Sequence, residues 1–332
     1  MTQTNPMPNL YRRLSQDIGV GRKYVKEQIL PDWWDDEIGL NSNGYAEGCI
    51  YISRRLALDM ASIFGTDKIQ FQQFGPVRFK HHAGVKQSDL LLAQALALRG
   101  GALTVACVSL PVHVVPDNAR FIRDGLLTQH PAGITFEVLL DYCWQLGIAV
   151  VPVLSFPKGA RKMDGLAAIV EGRPVIVLSR AQRQPAWQLF TLAHELAHIA
   201  LGHVNAQTAI VDTEIKQDSA DALENEANRF ARELLMGNPV IGYGGPAFNL
   251  TADELARQAR AVGEQDRVDP GVVALNYAWN KQFFPVAVAA LNLLYPQADA
   301  LAVLRARLLA HADLSLISDD NSAHLMRLMT PA

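Results

Sequence analysis

No C-x-x-C pair occurs in this chain, and its three cysteines, Cys49, Cys107 and Cys143, are widely spaced and odd in number. That argues against a disulfide framework; free, buried thiols of a cytoplasmic protein are the simplest expectation. Charge of one sign is lacking too. The formal net charge is −3 over 332 residues, so nothing global draws the chain to nucleic acid, although a local basic patch could still do so. Long apolar runs are missing: the longest are short or broken by proline, as in Phe283-Phe-Pro-Val-Ala-Val-Ala-Ala-Leu291. A membrane span needs about 20 residues, so none is expected. The first eight residues contain no basic segment leading into an apolar stretch, so no signal peptide is expected. Internal repeats and low-complexity tracts are absent as well, which excludes solenoids and arrays.

What is present is apolar. Hydrophobic residues make up 49% of the chain, enough for a sizeable core, and the length allows two or three domains of about 100–200 residues each. Within this background stands His194-Glu195-Leu196-Ala197-His198, an H-E-x-x-H motif inside the apolar run from Trp187 to Leu201. In a helix the two histidines lie one turn apart and about 40° around the axis, so both imidazoles reach one metal ion. Glu195 projects beside the pair, placed to hold a water rather than the metal, as the general base of metal-dependent peptide hydrolysis does. A helix apolar on every side is buried. Burying two histidines and a carboxylate without partners is costly, and a metal satisfies all three. That cost disfavours the alternative of a core helix whose histidines merely hydrogen-bond to neighbours.

A third ligand is required. The H-E-x-x-H-x-x-G-x-x-H pattern does not fit, because Gly202 falls one place too late and His203 one place too early. His203 follows His198 by five residues and is expected to turn away from the metal face, meeting free carbonyls at the helix C-terminus, with Gly202 helping to end the helix. The other source is a glutamate on a second helix, read over Asp221–Met236 with Leu223, Ala227, Phe230, Ala231 and Leu234 as its apolar stripe. Helical geometry does not choose between Glu224 and Glu226, which both flank the stripe. Asp221 with Glu224 has the form of an N-cap and its reciprocal partner, which gives Glu224 a structural task. Glu233, two turns further on, is expected in solvent. Glu226 is therefore the preferred ligand.

His194-Glu-Leu-Ala-His198 with Leu201-Gly-His203, followed by Glu226-Ala-Asn-Arg-Phe-Ala-Arg-Glu-Leu-Leu-Met236, resembles the ImmA/IrrE family of metallo-endopeptidases. The resemblance covers roughly residues 135–282, and its motifs are specific in combination. It implies a third ligand from the second helix, at the position matched to Glu226. One departure is visible: the helix ends Met236-Gly-Asn-Pro239, with two residues inserted before the proline.

The rest of the chain organises around this core. Residues 1–110 read as a helical domain, 111–249 as the zincin-like core and 250–332 as a helical C-terminal region. The fold class is α+β and mostly helical, with a small sheet. Basic residues Arg12, Arg13, Arg22 and Lys23 in the first region can touch DNA phosphates if that region is a divergent helix-turn-helix, a segment some members of the resembled family carry. A helical domain with solvated basic faces, docked on the protease, is the preferred reading. Ser88 to Arg99 reads as a helix stopped by Gly100-Gly101, and Val105 to Val115 as a strand or buried linker. Helix Thr135–Leu146, strand Ile148–Leu154 and a hairpin turning at Glu171-Gly-Arg-Pro174 follow, with one hairpin strand as the edge that pairs with extended substrate. Lys158, Arg161 and Lys162 precede the hairpin as a loop. Thr251-Ala-Asp-Glu254 opens one late helix as a capping box, Asp269-Pro-Gly271 opens another, and the last ten residues are expected to be loosely held.

The chain thus reads as a cytoplasmic zinc-dependent endopeptidase, with manganese as the alternative ion. The resemblance implies a protein substrate, a helix-turn-helix repressor or antitoxin, in a stress-response, mobile-element or toxin–antitoxin setting. The rival readings are a non-proteolytic toxin or regulator with a structural or sensory metal site, and a DNA-binding regulator acting through residues 1–110. An intact Glu195 argues against the first rival, since a structural site needs no base.

Overall fold

Gly100 and Gly101 do not stop a helix; they let one lie close to a sheet. In the computed structural model, helix α5 runs unbroken over Gln87–Ala106. A Cβ at Gly100 would lie 2.6 Å from Val153 Cγ2, and one at Gly101 would lie 3.0 Å from Val175 Cγ1. The pair therefore serves close packing, which a reading based on glycine's poor helix propensity misses. The structure describes residues 5–72, 78–79, 87–158, 160, 163–205, 210–212, 221–240, 242–244 and 250–332. Arg161 and Lys162 lie outside them.

Five strands form one sheet: β1 (Arg78–Phe79), β2 (Ala149–Pro152), β3 (Gly165–Val170), β4 (Arg173–Leu178) and β5 (Ile210–Asp212), in the order β1-β5-β3-β4-β2. β3 and β4 make the expected antiparallel hairpin, with Val170 opposite Arg173. Its two-residue turn, Glu171-Gly172, has positive φ at both positions (50° and 80°), the primed turn whose twist suits adjoining strands. β2 pairs parallel to β4. The expectation of an open hairpin edge needs correction. β5 pairs antiparallel with β3 from Gly165 to Ala167, and only the Ala168–Val170 half of β3 has no further strand partner among the described residues.

Most of the other described elements are helices. On the N-terminal side are α1 (Met7–Ile18), α2 (Arg22–Tyr24), which continues as one π-helical turn over Val25–Ile29, α3 (Ser42–Leu56) and α4 (Met60–Phe64). α6 (Ala119–Gln129) and α7 (Phe136–Gln145) follow α5. Between Cys107 and Asn118 the chain is irregular, and Val114 is 90% exposed, so the strand or buried linker expected there does not form. After the hairpin come α8 (Pro185–Ala200), α9 (Ala222–Met236), α10 (Ala252–Asp266), α11 (Pro270–Lys281), α12 (Phe284–Leu294), α13 (Ala300–His311) and α14 (Asp319–Leu328). Thr251 and Asp269 cap α10 and α11 as expected.

One buried apolar cluster runs from Met7 to Met329. α5, assigned by sequence to the first region, packs on β2, β3 and β4. The C-terminal residues are not loose. Leu325, Leu328 and Met329 are fully buried, and the Leu328 carbonyl accepts from the amides of Leu154 and Ser155 at 2.7 and 3.1 Å. That tail is held because α14 packs on α5 and on the π-helical turn at Val25–Ile29.

Arg123 ties three helices together. It is 5% exposed and donates to the carbonyls of Leu234 and Leu235, which close α9, at 3.1 and 2.6 Å. It also reaches those of Asp266 and Arg267, which close α10, at 3.1 and 2.9 Å. Charged donors on otherwise unsatisfied helix-end carbonyls are among the stronger hydrogen bonds. Arg123→Met should therefore lower stability by about 2–4 kcal/mol, read as a shift of the urea midpoint. A change below about 0.5 kcal/mol would reduce this cluster to the level of an ordinary surface contact.

Candidate metal centre

Helix α8 begins with Pro185 at its first turn and is buried from Gln188 to His198, wedged among α7, α9, α11, β3 and β4. His194, Glu195 and His198 are each 0% exposed. The two histidine rings stand 4.8 Å apart between centroids, and their Nε2 atoms face each other at 3.1 Å.

The carboxylate that meets them is Glu224, not Glu226. Glu224 Oε2 lies 3.5 Å from His194 Nε2, and Oε1 lies 3.4 Å from His198 Nε2. The Glu226 side chain is 60% exposed and pairs with His203 at 3.1 Å. The sequence expectation of Glu226 as ligand is thus corrected, and the physical reason is phase. The buried face of α9 runs through Glu224, Ala227, Asn228, Ala231 and Leu235, spacings of three and four that put Glu224 in register with the core. Starting the stripe at Leu223, which is only half-buried, displaces that face. Glu226 is about 200° around the helix from Glu224 and falls on the outer side. Asp221 does cap the helix, accepting from the Leu223 amide at 3.0 Å, while the Glu224 carboxylate turns to the histidines.

These donors fit a metal ion. His194, His198 and Glu224 bring one ligand atom each within 4.8 Å of one another, all buried. Bonds of about 2.0–2.1 Å in a tetrahedron put neighbouring ligand atoms about 3.3–3.4 Å apart. The two Nε2 atoms are 3.1 Å apart, and each faces one oxygen of the Glu224 carboxylate, that of His194 facing Oε2 at 3.5 Å and that of His198 facing Oε1 at 3.4 Å. The partners on the far side of each ring agree. His194 Nδ1 lies 3.1 Å from Asn228 Oδ1, and His198 Nδ1 lies 3.0 Å from His203 Nδ1. With Nδ1 protonated toward those partners, both Nε2 lone pairs point inward at one another, an arrangement a shared cation stabilises.

His203 is also placed differently from expectation. Gly202, at φ +70°, reverses the chain after α8, and the His203 amide donates back to the His198 carbonyl at 2.9 Å. The helix ends where expected, but the His203 ring returns over His198 instead of pointing outward. Burial lowers its pKa, as does the neighbouring His198, while Glu226 pulls the other way.

Two residues flank Glu195 and its surroundings in ways the sequence reading does not reach. Asn228, one turn beyond Glu224, holds His194. Gly165, the first residue of β3, stands against the Glu195 carboxylate: a Cβ there would press on Oε1 and lie 2.8 Å from Cδ. A lone glycine at a strand start does signal close approach, but not of what. Gly165→Ala should leave metal content unchanged and slow peptide cleavage by about a hundredfold, as a displacement of about 1 Å at a reacting group can. Metal analysis beside a fluorogenic peptide-library assay would test this, and an unchanged rate would refute it.

Two tyrosines that could supply a second oxyanion donor have hydroxyl partners of their own. Tyr243 donates its hydroxyl to Asp266 at 3.1 Å, and the Tyr277 hydroxyl accepts from the Leu250 amide at 2.9 Å. Of the proposed DNA contacts, Arg13 donates to the carbonyls of Ser62, Ile63 and Asp67, each at 2.7 Å, and so anchors the end of α4. Arg22 pairs with Asp36 at 2.7 Å and Lys23 approaches Glu27 at 3.9 Å. Arg12 is exposed and contacts Asn9.

A helix bearing two metal-facing histidines and the intervening glutamate, crossed by a helix that presents a buried carboxylate, beside a small sheet, defines a zincin-like metallopeptidase arrangement. Residues 145–241 match Peptidase_M78, the IrrE N-terminal-like domain, so this part of the chain is similar to the ImmA/IrrE-type metallopeptidase domains. The matched segment contains both α8 and α9, and hence every residue of the centre. No curated protein matches the chain. Among the described residues no helix is long and apolar enough to cross a membrane.

Proposed function

We propose that this protein is a zinc-dependent endopeptidase in which His194, His198 and Glu224 hold the ion and Glu195 is the general base. The observation that carries the reading is the buried His-His-Glu group, with a further buried glutamate one residue along the same helix. A divalent ion held by His194, His198 and Glu224 would supply Lewis-acid polarisation of the scissile carbonyl and would make water a better nucleophile near neutral pH. The residues of this chain do the remainder. Neutral imidazoles and an ionised Glu224 supply the donor set. Glu195 accepts the proton of the attacking water and returns it to the leaving amine. Gly165 leaves room for its carboxylate. Manganese is the competing ion, since occupancy in the cell follows availability as well as affinity.

The proposed substrate is a helix-turn-helix repressor or antitoxin, as the family resemblance implies, cut where its chain can extend. A compact domain has to open locally before its backbone fits beside a metal centre. The scissile bond should therefore lie in a linker or a frayed helix end, separating DNA-binding helices from the dimerising part. Co-expression of a neighbouring helix-turn-helix protein with the wild type or with Glu195→Gln, followed by mass spectrometry, tests this. One defined cut made by the wild type alone supports the reading. A partner that both versions bind equally and leave intact would favour a non-proteolytic regulator.

A further inference from the structure

His198 has a chain of partners behind it. Its Nδ1 lies 3.0 Å from His203 Nδ1, and His203 Nε2 lies 3.1 Å from Glu226 Oε2. The His198 and His203 rings are 5.1 Å apart between centroids and inclined at 61°. The His203 side chain is 5% exposed, whereas that of Glu226 is 60% exposed. His194 is backed by the neutral side-chain oxygen of Asn228.

The order of protons along this chain is determined by its two ends. For Nε2 of His198 to face a cation with its lone pair, Nδ1 must carry the hydrogen. That hydrogen points to His203 Nδ1, which must then be an acceptor. The remaining hydrogen of a neutral His203 sits on Nε2 and donates to the Glu226 carboxylate, which only accepts. Each link thus allows one tautomer, and the carboxylate anchors the series.

We infer that His203 and Glu226 are positioning residues: an imidazole and a carboxylate in series that lock His198 in its metal-binding tautomer and increase the hold of its Nε2 on the ion. The inference rests on the metal reading of His194, His198 and Glu224. Carboxylate-backed histidines are more basic ligands, and losing such a partner commonly costs about 10–100-fold in metal affinity. It also gives Glu226 and Glu224 distinct tasks on opposite sides of one helix. Glu224 reaches the metal site from the buried face, and Glu226 reaches its second layer from the exposed one.

The test is zinc affinity, measured by competition with a chromogenic chelator on the full chain. His203→Ala should bind zinc about 10–100-fold more weakly than wild type. Glu226→Ala should weaken it by about three- to tenfold, the smaller effect expected of an exposed partner. His203→Gln should stay within about threefold of wild type, because its amide oxygen can accept from His198 while its NH2 donates to Glu226. A purely structural role would instead lower the melting temperature of the metal-free protein and would not be rescued by glutamine. Unchanged affinity in both His203→Ala and Glu226→Ala overturns the inference while leaving the metal site intact. A wild type without tight zinc binding overturns the metal reading itself. Should His203→Ala fail to fold, the exposed Glu226→Ala decides alone: wild-type affinity there rejects the series.

Discussion

Glu195→Gln is expected to abolish peptide cleavage while leaving metal content and fold unchanged. Glutamine keeps the shape of the side chain, which matters because Glu195 is fully buried and Gly165 packs against its carboxylate. It cannot take the proton of the attacking water, and loss of a general base costs about a hundredfold to ten-thousandfold. Elemental analysis and cleavage of a co-expressed partner, read side by side, separate the two properties. Full metal with cleavage at the wild-type rate would remove Glu195 from the mechanism.

Glu224→Ala is expected to strip the ion, whereas Glu226→Ala keeps it with reduced affinity. Glu224 is buried against both histidines, so its removal leaves two neutral donors and no charge to offset the cation. The helix itself should survive, because Asp221 caps it. The readout is both stoichiometric and thermal. An ion bound at a thousandfold excess over its dissociation constant stabilises the folded state by about 4 kcal/mol. Added zinc should therefore raise the melting temperature of the wild type strongly and that of Glu224→Ala hardly at all. If Glu224→Ala retains one ion per chain and Glu226→Ala loses it, the third ligand has been assigned to the wrong carboxylate.

The exchange of those two glutamates shows where sequence reasoning reached its limit. Both lie within the first turn and a half of α9, and both can be argued into a functional role. Asn228 carries the missing signal, since a buried asparagine in phase with Glu224 marks the polar face of the site. A stripe counted from hydrophobic residues alone begins at Leu223 and ignores it. Gly100-Gly101 taught the same lesson in the other direction. Their low helix propensity is real, but the contact with Val153 and Val175 outweighs it, and propensity is a local quantity that packing overrides. The C-terminal tail followed suit: expected to be loose as chain ends usually are, it is held by backbone bonds from Leu154 and Ser155, whose existence no local pattern announces.

From the residues alone came the histidine pair, the intervening base, the buried character of α8, the hairpin, and the caps of α10 and α11. Each depends on spacings of a few residues, where helix and turn geometry are nearly invariant. Tertiary structure decided what depends on which face of one element meets another. It brought Glu224 instead of Glu226 to the histidines, folded His203 back over His198, set β5 along the β3 edge and laid Gly165 on Glu195. Those placements join residues distant in the chain, and for α9 the choice between Glu224 and Glu226 is a rotation of two residues, about 200°, which only its packing against α8 fixes.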